Sequence, residues 1–325
     1  MKYKLRIGHA LLAAVSLLFA SLAAAQGWPA RPITLVVPFP PGGGTDAFAR
    51  PLAVLLGKQL GRQIVIDNRG GAGGTVGASV AAKAAPDGYT FFVGAVHHAI
   101  APSFYAKLDY DIEKDLVPLT VIAQPPQVVV VNPSRVPVAD MKAFLSLLRS
   151  RPGKLNYASA GNGTSHHLAG ELFKQQTKTF VVHIPYRGAG PALQDLIGGN
   201  VDMMFDGLGS SAAHIRAGRI KAIAVAAPKR SPAIPDVPTT AEVGLPDYVV
   251  STWYGIWGVK GTPKEILDRM HAEVVKALQS PELREIWQSQ GSETTTMSPD
   301  DFSRFLSSEI KRWAQVTKTS GAKLD

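Results

Sequence analysis

Residues 35–46 read Leu-Val-Val-Pro-Phe-Pro-Pro-Gly-Gly-Gly-Thr-Asp, an apolar run that breaks at prolines and glycines just before a helical pattern begins. The order predicts strand, tight turn, helix. Pro40 and Pro41 fix φ and withdraw two amide donors, while Gly42, Gly43 and Gly44 let the backbone take φ > 0 and approach a bound group closely. Thr45 or Asp46 can cap the helix. A helix start leaves unpaired N–H groups and the positive end of a dipole facing outward, which suits a carboxylate or phosphate. Similar turns recur at 70–75, 161–165 and 188–191. Strands alternating with helices through such turns predict α/β architecture with parallel, doubly wound sheets, whose ligands bind at the carboxyl ends of the strands.

A β-prone run over 117–131 is broken by Pro125-Pro126, as expected of one strand leaving a first domain and another entering a second. Residues 251–259 read as the returning strand. The expected division is a first domain of 26–124 with 251–325 and a second of 125–250, joined by two crossings and therefore hinged. Pro51 is expected to kink the first helix or mark its true start. Thr262-Pro263-Lys264-Glu265 reads as a capping box, and Ser298 as the cap of a last helix bearing Phe302, Phe305, Leu306, Ile310 and Trp313.

The amino end is read separately. Lys2, Lys4 and Arg6 precede an apolar stretch from Ala10 to Leu22 and then Ala23-Ala24-Ala25, the pattern of a cleavable secretory signal peptide over residues 1–25. Its removal takes the formal charge from +9 to +6, since residues 1–25 contain no acid. The exported chain has no cysteine, so packing must supply its stability. Its basic residues are scattered, without the Lys/Arg runs interleaved with aromatics that nucleic acid requires.

The sharpest rival is a dinucleotide fold: 42–47 fits G-x-G-x-x-A, and Asp67 ends the next strand at about the expected spacing. The paired prolines and the export signal oppose it. His97-His98 and His166-His167 lack zinc-site spacing, because adjacent side chains diverge. Ser165-His166 lacks a nucleophile elbow. Neither a cofactor nor a metal nor a catalytic group is expected. Asp206, ending the strand 201–205, either accepts from a ligand hydroxyl or ammonium or caps the following helix. Arg187 is either a carboxylate clamp or a surface residue.

Trp28-Pro29, Val37-Pro38-Phe39-Pro40-Pro41-Gly42-Gly43-Gly44-Thr45-Asp46, Asp67-Asn68-Arg69-Gly70-Gly71 and Pro86-Asp87-Gly88-Tyr89-Thr90 together resemble the Bug family. So do His167-Leu168-Ala169-Gly170-Glu171-Leu172-Phe173, Pro185-Tyr186-Arg187-Gly188 and Pro235-Asp236-Val237-Pro238-Thr239. These are the extracytoplasmic solute-binding receptors of tripartite tricarboxylate transporters. The resemblance implies a two-domain periplasmic-binding-protein (Venus-flytrap, type II) fold, monomeric, which takes a small organic acid and delivers it to membrane transporter subunits without a catalytic step. A receptor serving a membrane kinase would share that fold. Carried over residue by residue, the first clamp falls on Phe39, Gly42, Gly43, Gly44, Thr45 and Asp46, and the second on Gly163, Thr164 and Ser165. Asp206 lies at a matching cleft position. His97 and His98 stand where many relatives carry asparagine and small polar residues, and His97 is included in the expected site.

Overall fold

The computed structural model describes residues 27–320; the predicted signal peptide lies outside the described residues. Ten strands run in chain order as β1 (Ile33–Val37), β2 (Ile64–Asn68), β3 (Thr90–Ala95), β4 (Leu116–Ala123), β5 (Gln127–Val131), β6 (Asn156–Ser159), β7 (Val182–Pro185), β8 (Met203–Gly207), β9 (Lys221–Val225) and β10 (Tyr254–Val259). They form two five-stranded sheets, ordered β2-β1-β3-β10-β4 and β7-β6-β8-β5-β9. The helices are α1 (Gly44–Leu60), α2 (Thr75–Ala82), α3 (His97–Phe104), α4 (Met141–Ser150), α5 (Ser165–Thr177), α6 (Ala189–Gly198), α7 (Leu208–Arg216), α8 (Lys264–Leu278), α9 (Pro281–Ser289) and α10 (Pro299–Ser320).

The parallel expectation holds within each β-α-β run, where β1 pairs with β2 and β3 and β6 pairs with β7 and β8 in parallel. It fails at the strands that cross between lobes. β10 is antiparallel to both β3 and β4, and β5 is antiparallel to both β8 and β9. A strand arriving from the other lobe enters at the cleft end of the sheet and runs against the strands that end there, so both sheets are mixed.

Alternating side chains fill both faces of each sheet. In the first lobe Leu35, Phe91, Val93 and Ile256 face one core with α1, α8 and α9, while Val36, Phe92 and Trp257 face another with α3 and α10. In the second, Val129, Val131 and Phe205 pack beneath α4 and α5, and Val128, Val130 and Met204 beneath α6 and α7. Strands buried on both faces read as continuous apolar runs, which is why β5 is almost entirely valine.

Two local readings change and one holds. α1 continues through Pro51, whose missing N–H leaves the Ala47 carbonyl without its helical donor; the Gln290 side chain donates to that oxygen at 3.3 Å instead. The capping box at Thr262 does not form, because Pro263 takes the N-cap position and leaves the hydroxyl one residue too early. At Ser298 the cap is made, with Oγ accepting from the Asp301 amide at 3.1 Å.

The last helix returns to the first lobe around one buried acid. Glu309 Oε2 accepts from the indole N–H of Trp253 at 2.8 Å and of Trp313 at 3.1 Å, and Phe302 packs on Trp257 with ring centroids 4.8 Å apart. Phe302 also lies against the Gly255 backbone, where no larger residue would fit. Phe302→Ala should therefore lower stability by about 3–5 kcal/mol, read as a lower urea midpoint with the slope unchanged. A loss below about 1 kcal/mol would show that α10 contributes little to this core.

Candidate ligand-binding cleft

The first expected turn stands at the carboxyl end of β1. Asp46, 4 % exposed, shapes it from within: Oδ2 accepts from the Gly42 amide at 3.1 Å and from Arg50 Nε at 2.8 Å. Its Oδ1 accepts from Asn68 Nδ2 at 3.1 Å, and the same amide donates to the Phe39 carbonyl at 2.8 Å. The carboxylate thus holds the turn and reaches the cleft through it. Gly43 is the N-cap of α1 and supplies no side-chain acceptor, so the first amides of a 17-residue helix face the cleft uncapped.

The second lobe meets this turn backbone to backbone. A Cβ on Gly190 would lie 2.2 Å from the Pro41 carbonyl oxygen, one on Gly188 2.8 Å from Pro40, and one on Gly43 3.4 Å from the Gly190 amide. Arg187 is exposed beside this contact, and the Tyr186 hydroxyl donates to Asp195 at 2.6 Å. The turn at 70–75 meets the turn at 161–165 similarly: Tyr105 donates to the Asn162 carbonyl at 2.9 Å, and Gly73 has no room for a Cβ there.

The turn before α5 is pinned by Thr164, whose hydroxyl donates to the Gly161 carbonyl at 2.7 Å and accepts from the His167 amide. Gly163, at φ 72°, donates its amide to His167 Nδ1 at 3.3 Å. The Ser165 amide crosses the cleft, donating to His97 Nδ1 at 3.0 Å, and the Ser165 hydroxyl accepts from Gln127 Nε2 at 3.0 Å. His97 packs edge-on to Phe39 at 5.2 Å and to His166 at 5.6 Å. The paired histidines diverge as read from the sequence. His98 turns back into its own lobe, between the Ala95 amide and the Gly74 carbonyl.

Asp206 is fully buried at the end of β8. Its Oδ2 accepts from the hydroxyls of Ser210 and Ser211 in the first turn of α7, while Oδ1 has no hydrogen-bond partner and lies 3.6 Å from His166 Nδ1. Asp206 is not the helix cap, since Gly207 takes the N-cap position of α7 without a side-chain cap bond; one oxygen holds two hydroxyls of its first turn and the other lies toward His166. Burial pushes its carboxyl up to about 6, against the pull of the two serines and the Gly207 amide. Burial also lowers His98 and His166 to about 4 and holds His97 well below its ordinary range, the last assisted by the neighbouring His166 and His98. These imidazoles are neutral at pH 7.

Two cleft residues escaped sequence reading. The Tyr254 hydroxyl lies so close to Gly44 that a Cβ there would sit 2.0 Å from it, and burial, then Asp206, raises its pKa. Gln127 opens an otherwise all-valine strand, and its Oε1 is buried without a partner. A polar residue starting a run of that kind was the signal available.

The tripartite tricarboxylate transporter family receptor profile, TctC, matches residues 48–322. The chain belongs to this receptor family. Among solved structures, periplasmic binding protein BugD superposes with TM-score 0.88 at 32 % identity, over 91 % of this chain and 99 % of that one. Rpa4515 of R. palustris, solved with adipate, gives 0.87 at 39 % identity over 91 % and 100 %. MatC from Rhodopseudomonas palustris, solved with bound malate, gives 0.83 at 36 % over 89 % and 99 %. The two-lobed periplasmic-binding-protein fold is thus shared across nearly the whole chain. Its family and these neighbours are solute-binding proteins.

The histidine shifts set a pH dependence for the ligand-free protein. A folded pKa below the unfolded value of about 6.5 means that protons bind the unfolded chain first, so stability is held above pH 6.5 and lost as pH falls toward 4. Asp206 acts in the opposite sense: its folded pKa is raised, so its penalty is present above pH 6 and relieved below about 4. The histidines should dominate between pH 7 and 5, with His166 contributing a loss of about 2 kcal/mol. Melting temperatures across that range should fall for the parent chain and fall less for His166→Gln. Parallel curves would place His166 outside the titrating set.

Proposed function

We propose that this chain is a periplasmic receptor that closes on a small organic carboxylate between its lobes and presents it to the membrane subunits of a tripartite tricarboxylate-type transporter. The observation that carries this reading is the uncapped start of α1, walled by glycines and facing the opposite lobe, since such an end offers amide donors and dipole charge to an anion. The adipate and malate found in related receptors belong to the same chemical class.

In this reading residues 1–25 direct export and are cleaved, and the mature chain divides into lobes 26–124 with 251–325 and 125–250. Binding uses Gly42, Gly43, Gly44 and Thr45 as backbone and hydroxyl donors and Phe39 as an apolar wall. Asp46 holds their turn in place. Gly163, Thr164, Ser165 and Asp206 form the opposing wall, and His97 reaches toward it from the first lobe. The receptor acts as a monomer without cofactor, and its only output is closure.

Mature protein stripped of carried-over ligand by unfolding and refolding should gain thermal stability with one class of organic acid. At a hundredfold excess over Kd the gain is about 2.7 kcal/mol. No shift with any acid, but one with a nucleotide, would instead favour the dinucleotide alternative. Gly190→Ala tests closure: alanine favours the helix by about 1 kcal/mol, yet its Cβ would meet the Pro41 carbonyl. The variant should fold normally and bind at least about tenfold more weakly. Solution scattering should show it more extended than the parent at saturating ligand, and equal compactness would remove this contact from closure.

A further inference from the structure

Basic residues that are scattered in the sequence gather at one end of the second lobe. β6 and β7 run toward the cleft and α5 runs away from it, so the residues that precede those strands and end that helix share the far end. Backbone and side-chain bonds tie them together. Arg149 Nη2 donates to the Thr177 carbonyl at 3.4 Å, the Gly153 amide to the Phe180 carbonyl at 2.9 Å, and the Val182 amide to the Leu155 carbonyl at 3.0 Å. From 149 to 182 the chain holds five cations, Arg149, Arg151, Lys154, Lys174 and Lys178, against one acid, Glu171. Lys174 is paired with that acid at 2.7 Å, while the other four cations are exposed and have no acidic partner among the described residues.

An aromatic ring stands among them. Phe180 is 55 % exposed, and Val182, on the edge strand β7, is 41 % exposed. The ring is seated rather than loose: a Cβ on Gly153 would lie 2.9 Å from it, and Lys174 Nζ is 5.6 Å from its centroid. Lysines guard open sheet edges against pairing, but a guard gains nothing from an uncovered phenyl ring beside it. A partner protein would need acids fixed opposite cations that lie on two segments and have flexible stems. A layer of anionic headgroups supplies charge at any spacing, and the hydrocarbon beneath it takes the ring.

We propose that this end of the second lobe docks on an anionic phospholipid bilayer, with Arg149, Arg151, Lys154 and Lys178 among the phosphate headgroups and Phe180 inserted between them. The association is reversible and holds the chain at the membrane surface. The cleft lies at the opposite end of the lobe and stays clear of the bilayer.

Co-sedimentation of the mature chain with vesicles of phosphatidylcholine, alone or mixed with phosphatidylglycerol, tests this. Omitting residues 1–25 keeps their apolar stretch from contributing. Binding should appear with the anionic mixture, be absent with the neutral vesicles and weaken as salt is raised. Arg151→Gln with Lys154→Gln should weaken it by about fivefold for each cation removed. Lys260→Gln with Lys276→Gln removes the same charge from the exposed surface of the first lobe and should bind as the parent does. Phe180→Ser keeps every charge and should weaken binding by about fivefold at each salt concentration. No binding to the anionic vesicles at low salt, or equal binding to the neutral ones, would overturn the inference. So would an equal loss in the two double variants, which would reduce the effect to net charge. Unchanged binding by Phe180→Ser would overturn insertion of the ring. Membranes carrying transporter subunits that bind the chain where protein-free anionic vesicles do not would assign the patch to a protein partner and overturn the bilayer as its target.

Discussion

The carbonyl oxygen of Pro41 lies where a side chain on Gly190 would begin, 2.2 Å from the ideal Cβ position, and much of the cleft follows from that contact. Lobes that meet through side chains keep a layer of rotamers between them. Lobes that meet through glycine backbone bring two helix starts, α1 and α6, to within one residue's thickness. The same device repeats where Gly73 meets the 161–163 turn. Thr45, His97 and Ser165 between these contacts are buried, and in such surroundings a hydrogen bond to an amide is electrostatically stronger than in solvent. Glycine here is required by close approach as much as by turn geometry.

Two histidines of the cleft serve as acceptors. His97 reaches from the first lobe to take the Ser165 amide, and His167 takes the Gly163 amide one turn earlier. A carboxylate could do either task, but it would bring a buried negative charge into a cleft read as anion-binding. A neutral imidazole supplies the acceptor without the charge, and burial keeps His97 neutral. Asp206 is the contrasting case, a carboxylate whose Oδ2 is quieted by two serine hydroxyls while Oδ1 is left turned toward His166.

The glycine turns were legible because their chemistry is local: prolines stop a strand, glycines turn it, and a helix pattern follows. The break between β4 and β5 was legible for the same reason at Pro125-Pro126. What stayed hidden was non-local. β10 looks like any strand in sequence, and its antiparallel sense comes only from the side by which it enters the sheet. Pro51 reads as a break until Gln290, 239 positions later, donates to the carbonyl that the proline leaves open. α3 begins at His97 directly after β3, with no capping side chain to mark it. Tyr254 is near Gly44 only because the returning strand passes beside the first turn.

In the proposed receptor, the returning strand ties recognition to the hinge. The two crossing segments bond to each other, with the Gln127 amide donating to the Val250 carbonyl at 2.9 Å and the Thr252 amide to the Pro125 carbonyl at 3.1 Å. Pro125 and Pro126 can contribute no donors, so this ribbon is held by few bonds and can bend where it is thinnest. Immediately beyond it on either side stand Gln127 and Tyr254, whose side chains enter the cleft from the two lobes. A rotation of the ribbon must therefore move an acceptor and a hydroxyl relative to the α1 start. A ligand that engages these groups biases the hinge through differential contacts in the open and closed forms, which is the only way a bound molecule can shift such an equilibrium.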